Sequence, residues 1–396
     1  SNPDSPSAYS SYTSSFESVE APDANTVVIK TERPNPLMLF DVAQLYVLKQ
    51  EIAEVGTEEQ VADNVIGTGR YKFVEQVKED HIDLAANEDY WGEVPAIKNV
   101  RFRPITNEAT RTATMLTGDV DFTIDVSARD IDRLDATEGI SVIKQKGLRE
   151  IYLNLDSRED SPLFPGQKNP MSDVKVRQAM YLAIDEGTII KNIMNGCAYE
   201  MNSVVPEDYV GYTEVTREAY DPEKAKELLA EAGWDGSHEL VFSVPTGNSI
   251  REQAAVIIQQ NLQEIGIKTK IESADFATHL TKVREGNYDL GLIGSGGSPD
   301  PSECVINFKP DHINNFSHLS DWTIYNTGAE GEHAFSFEDR KVNYDNYQEL
   351  LVEQVPFCFL YFQNNLFAYN NRIGNVKDNQ DYSQLNRDVW NWTIEK

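Results

Sequence analysis

The stretch from residue 239 to 293 limits the possible fold more than any other. Three strand-forming runs, at 239–244, 267–272 and 288–293, are separated by short turns, and a helical pattern fills 249–265. Strand, helix and strand joined this tightly signal an α/β unit. Upstream, Thr26-Val27-Val28-Ile29-Lys30 reads as a strand after the Pro-Asp-Ala-Asn turn at 22–25. Residues 37–55 alternate apolar and polar at helical spacing, and Gly67 to Phe73 is a turn entering a strand. Further strands are expected near 81–86 and 98–104, and a helix over 107–117 that ends at Gly118. Two strand-like runs follow, Val142-Ile143 and Ile151 to Leu155, then a Pro- and Gly-rich loop to 170 and helices at 173–184 and 186–195. Residues 1–18, rich in Ser, Tyr and Pro, read as a loop with a short helix. At 396 residues, two domains are the default expectation.

The chain carries 65 acidic and 35 basic residues, a formal net charge of −30. That balance argues against nucleic acid or an anionic membrane surface as a partner. No apolar run is long enough to span a bilayer. Cys197, Cys304 and Cys358 are the only cysteines, so there is no disulfide framework. Cys304 with His312 and His318 makes a loose group without metal-ligand spacing. Gly67-Thr68-Gly69 lacks the third glycine of a dinucleotide turn and the lysine of a P-loop, so it reads as a structural turn. No Gly-x-Ser-x-Gly elbow or His-Glu-x-x-His helix occurs, and 65 acidic residues supply carboxylate pairs by chance. A hydrolase is therefore the weaker reading, and no cofactor or metal is called for.

Asp221 to Trp234 is a helix with both ends marked. Asp221 is a good N-cap, Pro222 suits the first helical position, and Glu223 faces the positive helix end. Ala225, Leu228, Leu229 and Ala232 form one apolar stripe, Gly233 stops the helix and Trp234 follows as an anchor. A second capped helix starts at Asp173, with Val176, Ala179, Met180 and Ala183 facing a core and Arg177 and Asp185 read as structural charges.

These helices, together with Gly67-Thr68-Gly69-Arg70-Tyr71, Asn87, Tyr90-Trp91, Pro95, Ile97 and Gly118-Asp119-Val120-Asp121, resemble the successive landmarks of the family 5 extracellular solute-binding proteins of ABC importers. The resemblance runs from Val19 to Trp392. It implies an α/β, two-lobed periplasmic-binding-protein-like fold of the class II type, cluster C. Lobe I would take residues 1–150 plus 366–396, and lobe II residues 151–365. The chain would cross between lobes near Tyr152–Asn154 and return near Gln363–Phe367, with ligand held between the lobes. Family members usually begin with a further N-terminal segment, so the chain is expected to lack part of lobe I.

The function implied is extracytoplasmic capture of a peptide-like solute and delivery to ABC permease subunits. The protein would be a monomer, in the periplasm or lipid-anchored at the outer face of the cell membrane. A nickel chelate or a sugar is the alternative ligand, and an adhesion or sensing module is a further reading on the same fold. The candidate contacts are Tyr152 and Asn154 at the crossing, Asn248 and Arg251 opening the 249–265 helix, and the loop Gly294, Ser295, Gly296, Gly297, Ser298 and Asp300. Arg251 suits a bidentate grip on a ligand carboxylate. Peptide-binding members often carry an aromatic residue at the place of Gly294, and an Asp for the ligand ammonium at the place of Gly297. Both are missing here, which leaves Asp300 either as the substitute carboxylate or as a cap on the next turn.

Overall fold

The computed structural model describes residues 12–47, 49–51, 65–207, 209, 211–215, 218–297, 300–376 and 389–395. They divide into two compact units. One takes in the described residues within 1–32, 37–145 and 365–396, and the other those within 33–36 and 146–364.

The first unit is built from small antiparallel sheets. Phe16–Asp23 pairs with Thr26–Thr31. Tyr71–Val77, His81–Ala86 and Asn99–Phe102 form a three-stranded sheet. The helix Glu108–Thr117 starts where Asn107 accepts from the Thr110 N–H and stops at Gly118, whose φ of 75° suits glycine. Phe367, Tyr369, Ile373, Val376 and Trp392 form its described apolar cluster. Two expectations need correction here. The strand Phe16–Asp23 begins inside 1–18, where a loop with a short helix was expected, and ends inside the expected turn at 22–25. The helical pattern at 37–55 yields the short helix Met38–Ala43, and residues 52–64 and 1–11 lie outside the described set.

The second unit carries the α/β sheet. Lys268–Ala274 lies parallel to Glu239–Pro245, which in turn lies parallel to Leu290–Ser295. Leu290–Ser295 runs antiparallel to residues 150–155 of the long strand Ile140–Leu155, and Phe357–Asn370 lies next in order. The two expected runs within 140–155 are thus one strand of 16 residues. The crossover helices are Ser249–Glu264 and Phe276–Glu285. Leu240, Phe242, Leu290 and Leu292 are fully buried in the core cluster that also takes in residues of the Val174–Ala183 helix.

The helix Pro222–Glu231 forms as its ends dictate. Asp221 accepts from the backbone N–H groups of Glu223 and Lys224, Gly233 has a φ of 73°, and Ala225 and Leu229 are buried. Val176, Ala179, Met180 and Ala183 are buried on the neighbouring helix, which Asp173 caps. Arg177 beside them is 3% exposed. Its guanidinium donates to the carbonyls of Gln354, Val355, Met171 and Ser172, tying this helix to the end of the 337–354 helix. Arg177→Leu strands these buried carbonyls and should cost about 3 kcal/mol. Urea unfolding measures it, and Arg177→Lys should recover only part of the loss because an ammonium cannot fork across four carbonyls.

Candidate functional site

The predicted contact residues that are described all fall in the second unit, and the structure brings some of them together. The Ser249–Glu264 helix begins after Asn248, whose side chain accepts from the Arg251 N–H at 3.0 Å. Glu252 reaches back to the Gly247 N–H, also at 3.0 Å, which completes a reciprocal cap. Asn248 is itself exposed and serves as this cap.

Arg251 therefore sits in the first turn of a helix, where a cation opposes the helix dipole. It is only 5% exposed, and its Nε has no hydrogen-bond partner among the described residues. Burial and then the neighbouring Arg149 charge push its ionisation below the ordinary arginine value, while Tyr361 and Tyr152 pull the other way. A buried guanidinium without a paired anion is costly, so groups of this kind are normally matched.

Gly294 creates the space. In the sheet it lies opposite Ile151. A Cβ on Gly294 would strike the guanidinium of Arg251 and come within 2.8 Å of Ile151 Cδ1. The stacking wall that the resemblance suggests here is replaced by the arginine itself.

Gly297 has a φ of 72°, and a Cβ there would land on the backbone carbonyl of Leu148. The loop packs directly on the neighbouring strand and leaves no room for an anchoring Asp. Ser295 Oγ accepts from the Gly297 N–H at 3.3 Å, and Gly296 has open space around it. Ser298 lies outside the described residues.

Asp300 is not a free carboxylate. It is 7% exposed, pairs with Arg340, accepts from Tyr344 Oη at 3.3 Å and caps the Ser302 N–H at 3.1 Å. Its internal contacts account for both oxygens, so the capping role weighed in the sequence is the one the geometry supports.

Tyr152 and Asn154 are buried in the sheet. The Tyr152 ring lies 4.9 Å from that of Phe357, and Asn154 Nδ2 donates to Tyr288 Oη. Both border a small cavity with Glu150, Cys304 and Ser317. A larger cavity of about 530 Å³ lies elsewhere in the same unit, lined by Lys146, Tyr199, Tyr212 and Phe362 among others, and holds none of the predicted contacts. Arg251 is set apart from both cavities by a buried Nε that has no partner among the described residues.

Sequence reasoning missed Glu150. It is 3% exposed, with the Cys304 thiol donating to it at 3.5 Å, and burial pushes its carboxyl up to about 8. The folded protein then holds a proton that the unfolded chain releases near the ordinary carboxylate value. The Glu150 contribution to stability is complete below the ordinary carboxylate value of 4.5 and is lost progressively as pH rises from there to about 8. Burial raises Asp289 to about 7 in the same sense. Glu150→Gln should flatten the fall in melting temperature between about pH 5 and 8, as read by scanning calorimetry across that range.

Cys304, His312 and His318 do not share a site: Cys304 faces Glu150, His318 Nε2 contacts the Val283 carbonyl at 3.0 Å, and His312 Nδ1 accepts from the Asn314 N–H. Among the described residues, Glu75, His81 and Asp83 of the first unit lie close enough to share an ion. There Arg101 already takes both Asp83 oxygens, at 2.7 and 2.6 Å.

Comparison with known proteins adds a second line of evidence. Residues 1–315 match the family described as bacterial extracellular solute-binding proteins, family 5. The dipeptide-binding protein of Escherichia coli is 29% identical over 296 residues, 71% of this chain and 54% of its own length. The oligopeptide-binding protein AppA of Bacillus subtilis is 26% identical over 365 residues, 86% of this chain and 64% of its own. The chain thus spans less than two thirds of the length of these relatives. Among solved structures, the periplasmic binding protein DppA of Helicobacter pylori, in complex with the peptide STSA, superposes with a TM-score of 0.80 at 23% identity, covering 99% of this chain and 78% of that one. The mixed α/β binding-protein fold expected from the sequence is the one found.

Proposed function

This chain belongs to the bacterial extracellular solute-binding proteins of family 5, and from that membership we propose that it captures a peptide-like solute outside the cytoplasm and passes it to the transmembrane subunits of an ABC permease. The observation that carries the reading is Arg251, a buried arginine whose Nε has no partner among the described residues, set over a glycine that gives it room. Such a group suits a ligand carboxylate, which would form charge-assisted bonds in a water-poor setting. Backbone donors and acceptors of the 294–297 segment would lie along the ligand main chain, giving tolerance for side chains.

The family consists of transport binding proteins, and we read this member as a non-enzymatic monomer. It would reside in the periplasm or be held by a lipid at the outer face of the cell membrane. Among the described residues no helix is long and apolar enough to cross a membrane.

Isothermal titration of protein stripped of co-purified ligand, against di- to pentapeptides, tests the proposal. Dissociation constants of about 10 µM or tighter are expected for some of them. Absence of binding across the series, with binding of a nickel chelate or a sugar instead, would move the ligand class. Turnover of a peptide or glycoside library would overturn the binding-protein reading.

A further inference from the structure

Two arginines, not one, stand beside the pairing of Gly294 with Ile151. Arg251 lies over Gly294, and Gly294 is paired with Ile151. Strand alternation puts Arg149, two residues before Ile151, on the face that Ile151 shares with Arg251. Arg149 is exposed, and its charge acts on the Arg251 guanidinium. Among the described residues neither forms an ion pair. In a chain with 65 acidic residues against 35 basic ones, two neighbouring arginines left without a carboxylate are unexpected by composition. Elsewhere even exposed lysines find acidic partners, as Lys144 does with Asp132 and Lys175 with Glu231. Like charges held together repel, and the repulsion is relieved when an anion sits between them.

We propose that Arg149 and Arg251 form one two-cation subsite that selects ligands whose bound end carries two negative charges. The inference rests on the binding-protein reading above and narrows its ligand class. Two sources supply such an end: a peptide with a C-terminal Asp or Glu, whose side chain and terminal carboxylates lie close together, or a phosphorylated group. Arg251, buried and pre-positioned, takes the first carboxylate or phosphate oxygen. Arg149, exposed beside it, takes the second and confers the selectivity. Gly294 is required because any side chain there would displace the Arg251 guanidinium.

The test is titration calorimetry of the whole chain with isosteric pairs. Ala-Glu should bind about tenfold tighter than Ala-Gln, and the advantage should shrink as salt rises. Arg149→Gln should bring the affinity for Ala-Glu down to that for Ala-Gln. Lys144→Gln, earlier on the same strand, should leave the difference intact. Ala-phosphoserine against Ala-Ser separates the two sources: a larger gain for the phosphorylated pair assigns the subsite to phosphate, a larger gain for Ala-Glu to an acidic terminus. Equal affinity within both pairs, unchanged by Arg149→Gln, overturns the inference and leaves the peptide-binding function standing. If no peptide binds but citrate or inorganic phosphate does, and Arg149→Gln weakens it, the subsite stands and the peptide reading falls. If none of these probes binds, both fall.

Discussion

Arg251→Gln should cost about a hundredfold in ligand affinity and leave the melting temperature equal to, or a few degrees above, that of the parent chain. The two effects share one cause. The guanidinium is buried, its Nε lacks a partner, and Arg149 adds repulsion. In the unliganded protein this is a standing cost, and removing a buried unmatched charge is often neutral or stabilising. When a ligand carboxylate arrives, the same charge is matched in a poorly solvated place and its loss becomes expensive. A structural arginine would behave the opposite way, and Arg177 provides that contrast within the same unit, since each face of its guanidinium is satisfied by carbonyls. Calorimetry for affinity and scanning calorimetry for stability, run on both variants, separate the roles. If Arg251→Gln destabilises the protein as Arg177→Leu should, then Arg251 is structural and the ligand-carboxylate assignment fails.

The legible parts of the fold were those whose local chemistry agrees with their tertiary role. The Pro222–Glu231 helix carries its own cap, its own stop and an apolar stripe on its buried face. The helices at 323–333 and 337–354 were not foreseen because their buried faces do not look buried. Phe337–Gln354 turns Arg340, Tyr344, Tyr347 and Gln348 inward. Gln348 is wholly buried and bonds the carbonyl of Gly211, Thr213 Oγ1 and the Val204 N–H, so a polar residue occupies a core position that hydrophobic periodicity would leave blank. In Thr323–His333 the buried positions include Gly328 and Gly331, where a Cβ would collide with Val305 and with the ring of Tyr344. Glycine reads as a helix breaker in sequence, while here it permits close helix packing.

The site was legible in part. Arg251 and the glycine loop stood out as residue types, but their meeting depends on Gly294 facing Ile151 across the sheet, a pairing between positions 143 residues apart in the chain. Glu150 and Arg149 gave no signal at all. An acid and a base on an amphipathic strand look like solvated surface until burial and neighbours are known.

Gly297→Asp would restore the ammonium anchor that the resemblance calls for, and it should fail by several kcal/mol. The backbone φ of 72° is open to glycine at no cost and strains an L-residue by about 1 kcal/mol or more. Steric overlap costs more than this strain, because the new Cβ would occupy the position of the Leu148 carbonyl oxygen. That oxygen belongs to strand backbone and cannot rotate away as a side chain would. Either the 294–297 segment lifts off the strand or the strand end shifts, and both disturb Gly294 and the Arg251 guanidinium above it. The expected result is a melting temperature lower by several degrees together with weaker ligand binding. Gly296→Asp is the control, since no atom lies within 4 Å of its would-be Cβ, and it should change stability by less than about 0.5 kcal/mol. A Gly297→Asp protein that melts like its parent would mean the loop is free to move. The missing carboxylate would then reflect ligand chemistry alone, whereas a sharp loss ties it to how this loop is packed.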